Sequence, residues 1–290
     1  MRNKLIFSLS GAAFSFAASG FAIAADMAVK APLPAPAPAN TWAGWYVGGN
    51  AGYGWGTTDE MQNQVTSTFC APFFAGSGCP AFGSAFGSAV PDSFNAKPKG
   101  FIGGGEVGYS LQNGMSVYGW EADFQGADIK GSASGASFAV PAGTVNTVNV
   151  AGTGSQKLDW LGTVRGRLGL SLWPSALLYA TAGFAYGQVK SSVTFSESVG
   201  GPCACGPFQT TAASLSQTRA GWVIGCGTEW MFAPRWSFRT ETLFYDLGSA
   251  NLNTAITQSN STPIPFFGGT IQTTAHYDGF ISRAGLNYYF

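Results

Sequence analysis

Charge is what this chain has least of. Asp, Glu, Lys and Arg make up 10 % of its 290 residues, 14 basic against 14 acidic, and the formal net charge is zero. A typical soluble protein carries about 25 %, and without an excess of Lys and Arg there is no electrostatic footprint for nucleic acid, so no nucleic-acid partner is expected. Histidine is down to one residue, and HExxH, GxxxxGK[ST] and paired CxxC motifs are missing. That leaves no basis for a metal hydrolase or a nucleotide hydrolase, and no cofactor is expected. Long apolar runs are also missing: beyond the first 25 residues no stretch approaches the ~18 uninterrupted apolar residues of a helical span. What the chain does have is 41 Gly and 14 % aromatics. Intrinsic disorder is excluded for most of it, and the composition suits a β-protein in lipid.

The N-terminus sets the compartment. Arg2 and Lys4 precede a mainly apolar run, Leu5 to Ile23, diluted with Ser and Gly and followed by the small residues of AIAAD. This is the pattern of a secretory signal peptide, 1–24, cut after Ala24, with Ala25 as the alternative. Residues 25–41, ADMAVKAPLPAPAPANT, cannot pack and are expected to form an extended periplasmic linker reaching roughly 50 Å at ~3.1 Å per residue. Residues 42–290 remain for the fold.

From Gly44 onward the residues alternate, and the useful test is whether charges and aromatics take opposite parity. In GWYVGGNAGYGW, Trp45, Val47, Ala51, Tyr53 and Trp55 share one face. In FIGGGEVGYSL, Phe101, Val107, Tyr109 and Leu111 oppose Glu106; after an Asn113-Gly114 turn, Tyr118, Trp120, Ala122 and Phe124 oppose Glu121 and Asp123. In KLDWLGTVRGRLGLSL, Leu158, Trp160, Val164, Leu168 and Leu170 oppose Asp159, Arg165 and Arg167. Leu178 to Tyr186 forms another greasy face, Trp222, Ile224, Cys226 and Trp230 oppose Arg219 and Glu229, and Trp236, Phe238 and Phe244 oppose Arg239 and Glu241. The last segment sets Phe280, Ala284, Leu286, Tyr288 and Phe290 against Arg283.

Eight strands follow, joined by three short turns near 112–115, 173–175 and 233–235 and by four long loops, roughly 56–98, 126–156, 190–217 and 249–275. Short turns on one side, long loops on the other and aromatic outer faces predict an all-β fold: an eight-stranded antiparallel transmembrane β-barrel in the bacterial outer membrane, with outer-membrane lipid around it. A secreted β-sandwich is the weaker alternative, because its outward faces should carry Lys, Glu and Thr. Glu106, Glu121, Asp123, Arg165, Arg167, Glu229, Arg239, Glu241 and Arg283 all fall near the short-turn end. They predict one inward belt of paired charges, with Glu121 and Asp123 facing Arg165 and Arg167, and Glu229, Arg239, Glu241 and Arg283 alternating across the last three strands. Eight strands enclose just enough room for side chains to fill.

At WAGWYVGGNAGYGWG, DWLGTVRGRLG, LLYATAGFAYG and the ending RAGLNYYF, the chain resembles the small outer-membrane β-barrel surface antigens of alphaproteobacteria, a porin-like family. The resemblance covers roughly Thr41 to Phe290. It implies a structural envelope protein and surface antigen, with a small-solute porin-like channel as the alternative. It also implies that Leu286, Tyr288 and Phe290 form the C-terminal signal read by the barrel-assembly machinery, and that Ala25 is a point of attachment to peptidoglycan, with an unattached leader as the other reading.

Candidate chemistry is thin. His276 lies where the last strand leaves its loop, and Ser282, on the same parity, is six residues or roughly 20 Å away, so no local dyad forms and no enzyme is expected. The glycine run from Gly103 to Gly108 has strand parity and no following helix, which removes a dinucleotide site. Export to an oxidising compartment predicts a Cys70–Cys79 disulfide and a reduced Cys226, against the alternative of five free thiols. The pairing of Cys203 and Cys205 stays open.

Overall fold

The computed structural model describes residues 42–57, 60–70, 79–140, 147–200, 209–259 and 265–290, all within the unit Ala39–Phe290. The signal peptide, the linker with Ala25, and Cys203 and Cys205 lie outside the described residues, as do the side chains of Cys70 and Cys79. The elements are β1 (Gly44–Gly56), β2 (Glu60–Cys70), α1 (Cys79–Ala89), β3 (Ser93–Asn95), β4 (Lys99–Asn113), β5 (Ser116–Ala139), β6 (Thr147–Trp173), β7 (Ala176–Gly200), β8 (Gln209–Ala233), β9 (Trp236–Ser259) and β10 (Pro265–Tyr289). Neighbours pair in the order β1-β4-β5-β6-β7-β8-β9-β10, and β10 returns to pair with β1. Eight antiparallel strands therefore close into a ring. Closure is what lipid demands, since an open edge would leave backbone N–H and C=O groups unpaired in hydrocarbon.

The short turns are where the sequence places them. β4 and β5 are joined through Gly114, whose φ of 61° only a residue without Cβ adopts cheaply, and β8 and β9 through Pro234 and Arg235, the latter at φ 68°. The long loops are a correction. Segments expected as loops 126–156, 190–217 and 249–275 are largely strand: β5 runs on to Ala139 and β6 begins at Thr147, giving strands of 24 to 27 residues. Such strands are about 80 Å long at ~3.3 Å per residue, far more than the ~10 residues a bilayer needs. The sheet continues beyond the lipid. The expected first loop contains β2, α1 and β3, with β2 pairing the outer half of β10 (Phe267–Thr274) where β1 has ended.

Two aromatic bands mark the membrane. Trp222 and Trp230 on β8, Trp236 and Phe244 on β9, and Phe280 and Tyr288 on β10 are each eight residues apart, about 27 Å of tilted strand. Rings meet across strands in both bands, as in Trp45 with Trp120 at 5.6 Å and Phe244 with Phe280 at 5.1 Å. Amphipathic rings belong at such an interface.

One face assignment differs. Leu158 is buried in the interior, not lipid-facing, while Asp159 points outward to Lys157 and Lys190. A register shift between Leu158 and Trp160 inserts an extra residue and inverts the parity locally.

Candidate functional site: the filled lumen

The interior has three tiers. At the short-turn end Trp42, Tyr46, Val117, Leu177, Tyr179, Met231 and Tyr289 pack into a buried, mainly aromatic floor. Above it lie the nine charged residues, and above those an apolar core that includes Met61 of β2, Phe86 of α1 and Phe94 of β3.

In the middle tier four arginines meet five carboxylates, and none of the nine side chains is more than 2 % exposed. Arg165 donates to Glu121, to Asp123 at 2.8 Å and to Glu241 at 2.9 Å. Arg239 reaches Glu121 and, at 2.9 Å, Glu106, and lies 3.3 Å from Glu241. Arg283 bridges Asp123 at 2.9 Å and Glu241 at 2.5 Å. Arg167 pairs with Glu229 and stacks over the Tyr179 ring, 3.9 Å from its centroid. Neutral groups take up further lone pairs: Tyr46 donates to Glu121 at 2.7 Å, Tyr179 to Glu241 at 3.1 Å, and Asn50 to Glu106 at 2.9 Å. Glu229 accepts from Ser237, Asn287 and Tyr289. Charges removed from water persist only under this degree of pairing and hydrogen bonding.

The partners differ in part from the expected ones. Glu121 and Asp123 both turn to Arg165, whereas Arg167 on β6 reaches past β7 to Glu229 on β8. Glu229 and Arg239 stand opposite in the β8–β9 register, yet Arg239 reaches across to the β4 and β5 carboxylates instead. In a ring this narrow, long side chains on opposite walls are as near as register neighbours, so strand adjacency alone does not choose the pairs.

The upper tier is built jointly by inward apolar residues of the wall, among them Val150, Phe195 and Ile271, and by the chain segment between β1 and β4. In α1, Ala85, Phe86 and Ala89 fall on one buried face at helical spacing, continued by Val90 just beyond the helix. Glycines make the socket: a Cβ at Gly154 would lie 2.9 Å from both the Met61 sulfur and the Phe94 ring, and one at Gly152 would lie 2.7 Å from that ring. Glu197, on β7 eleven residues beyond Tyr186 and outside the aromatic band, is 2 % exposed. Among the described residues neither carboxyl oxygen has a hydrogen-bond partner, and burial pushes its pKa up to about 7.

Residues 14–290 match the outer membrane protein beta-barrel domain family. The chain belongs to that family. It is 35 % identical over 250 residues to the 31 kDa outer-membrane immunogenic protein of Brucella melitensis, covering 84 % of this chain and 88 % of that protein. It is 27 % identical over 255 residues to the 25 kDa outer-membrane immunogenic protein of Brucella abortus, covering 87 % and 88 %. Among solved structures, the outer membrane protein OprG from Pseudomonas aeruginosa aligns with a TM-score of 0.39 and 12 % identity, covering 86 % of this chain and 96 % of that one. The protein is thus a β-barrel of the bacterial outer membrane and one of a family of surface antigens.

In this outer-membrane barrel Leu286 and Phe290 point outward, 48 % and 67 % exposed, on the strand that closes the ring against β1. Cys226 is a free thiol on the outer face. His276 also faces outward, 3.5 Å from Asp246. The residues that sequence reasoning missed are the tyrosines. Tyr46, Tyr179 and Tyr289 have the parity of the inward charges, and a ring carrying a hydroxyl on the polar face of a lipid-embedded strand is the signal that marks them.

Proposed function

We propose that this protein is a structural, surface-displayed barrel whose lumen is closed by the nine-residue ion network. One observation carries this reading: Arg165, Arg239 and Arg283 each hold carboxylates from more than one strand, and between them they tie β4, β5, β6, β9 and β10 together across the lumen. The aromatic floor beneath and the apolar tier above reinforce the closure. No catalytic role is assigned. In this reading the assembly machinery recognises Leu286, Tyr288 and Phe290 on the closing strand, and the linker carries Ala25 to peptidoglycan.

Planar-bilayer recording on the refolded wild-type protein tests the closure. The expected result is no steady conductance. A reproducible open channel whose ion selectivity shifts when Arg165 or Arg167 is replaced would reject the closed lumen and establish the small-solute channel in its place. Muropeptide analysis of cell envelopes tests the tether, which fails if Ala25 carries only a free amine.

A further inference from the structure

A row of lysines girdles one side of the barrel just beyond the outer aromatic band. Lys99 on β4, Lys130 on β5, Lys157 on β6 and Lys190 on β7 are direct cross-strand partners in an unbroken series. All four point outward, with Lys130, Lys157 and Lys190 side chains 64 %, 42 % and 50 % exposed. Like charges placed directly opposite on a sheet repel, so four in a row call for a reason.

Asp128 and Asp159 stand among them, pairing with Lys130 at 2.9 Å, Lys157 at 2.8 Å and Lys190 at 2.6 Å. Two carboxylates against four ammonium groups leave the row cationic. The ladder starts two residues beyond Phe101 and lies three beyond Trp160 and four beyond Tyr186, counted away from the short turns. It therefore sits at headgroup height. One rung further out, Ser132, Ser155, Ser192 and Ser214 pair in register on the same outer face. The opposite side of the barrel at this height carries Asp246, His276 and Asp278 instead. The cationic arc is one-sided.

We propose that this arc is a binding site for a phosphorylated glycolipid of the outer leaflet. Acyl chains would lie along Phe101, Phe124, Trp160 and Tyr186, phosphates on the lysine rung and sugar hydroxyls against the serine rung. The order of the three rungs along the strands matches the order of acyl, phosphate and sugar in such a lipid. Strands about 4.8 Å apart spread the four lysines over about 14 Å, wide enough for two phosphates on one headgroup. The Asp partners hold the lysine stems out along the sheet, and Asp128, exposed like Lys130, gives it up at little cost. The site is independent of whether the lumen conducts.

The test uses the full refolded chain in neutral detergent, titrated with a bis-phosphorylated acylated glucosamine disaccharide, with the same lipid dephosphorylated, and with inorganic phosphate, followed by native mass spectrometry. Binding of the phosphorylated lipid is expected, at least 10-fold weaker once dephosphorylated, with inorganic phosphate failing to displace it. Replacing all four lysines (K99Q, K130Q, K157Q, K190Q) should weaken binding on the order of 100-fold or more, since each lysine near a charged lipid surface contributes about a 5-fold factor. D246N on the opposite arc should leave it unchanged. Equal binding by the quadruple variant, equal binding of the dephosphorylated lipid, or displacement by inorganic phosphate at equal concentration overturns the proposal. If the quadruple variant fails to refold, K99Q with K130Q carries the test, with a loss of about 25-fold expected and no loss overturning it.

Discussion

The inner and outer halves of this lumen solve the same filling problem with opposite chemistry. Near the short turns the described residues give the eight strands as the wall, and what occupies the centre grows from that wall. Arg, Glu and Tyr are long enough to meet there, and their charges are tolerated because every one is paired. Beyond the lipid, β1 has ended and the chain between β1 and β4 folds inward, so Phe86, Phe94 and Met61 join wall residues such as Val150, Phe195 and Ile271 in one apolar core, and the wall makes room for them at Gly152 and Gly154. Length of side chain decides one half; apolar wall residues closed over an inserted segment decide the other. Lipid on the outside enforces the first arrangement, because only there is an outward charge expensive.

Breaking each half separately sharpens this contrast. R165A removes the cation shared by Glu121, Asp123 and Glu241 and should cost about 3–5 kcal/mol, measured by urea unfolding of vesicle-embedded barrel with Trp fluorescence as the signal. F94A empties the socket beside Gly152 and Gly154 and should cost about 3 kcal/mol or slightly more. That loss is expected to appear as faster proteolysis and hydrogen exchange confined to the outer half, leaving the membrane band intact.

The buried Glu197 makes the outer half pH-sensitive. Its folded-state pKa, about 7, lies above the ordinary 4.5, so protonation favours the folded form. That advantage is complete below about pH 4, declines as pH rises and is gone above about 7, a span of about 3 kcal/mol. Local opening of the outer half, followed by hydrogen exchange on either side of that window, should therefore ease with rising pH in the wild type. The slope should vanish in E197Q. G154A is the mildest lesion: its methyl would press on Met61 and Phe94 at 2.9 Å and should cost about 1–3 kcal/mol, relieved when Met61 is shortened in the same chain.

The lipid-spanning part of the fold was legible because lipid writes a strong signal. Trp120 and Phe124 against Glu121 and Asp123 admit one orientation only. Beyond the bands that contrast fades: in GSASGASFA the outward Ser132, Ser134 and Ala136 and the inward Ala133, Gly135 and Ser137 are chemically alike, so strand read as loop. The charged tier was legible as a set of residues, but its pairing was not. Arg167 meeting Glu229, and Arg239 reaching Glu106, depend on the width of the closed ring. The bulge that turns Asp159 outward left no local mark either. Two residues before it the same pattern still alternates.

The most direct test of the central claim, that the ion network closes the inner half on its own, replaces the inserted segment 58–95 with a short Gly/Ser linker and records conductance of the refolded barrel in a planar bilayer. Closure by the network, with the aromatic floor beneath it, predicts that this barrel stays silent. A steady channel from the deletion alone would mean that the inserted segment, and not the arginines, is what blocks the lumen.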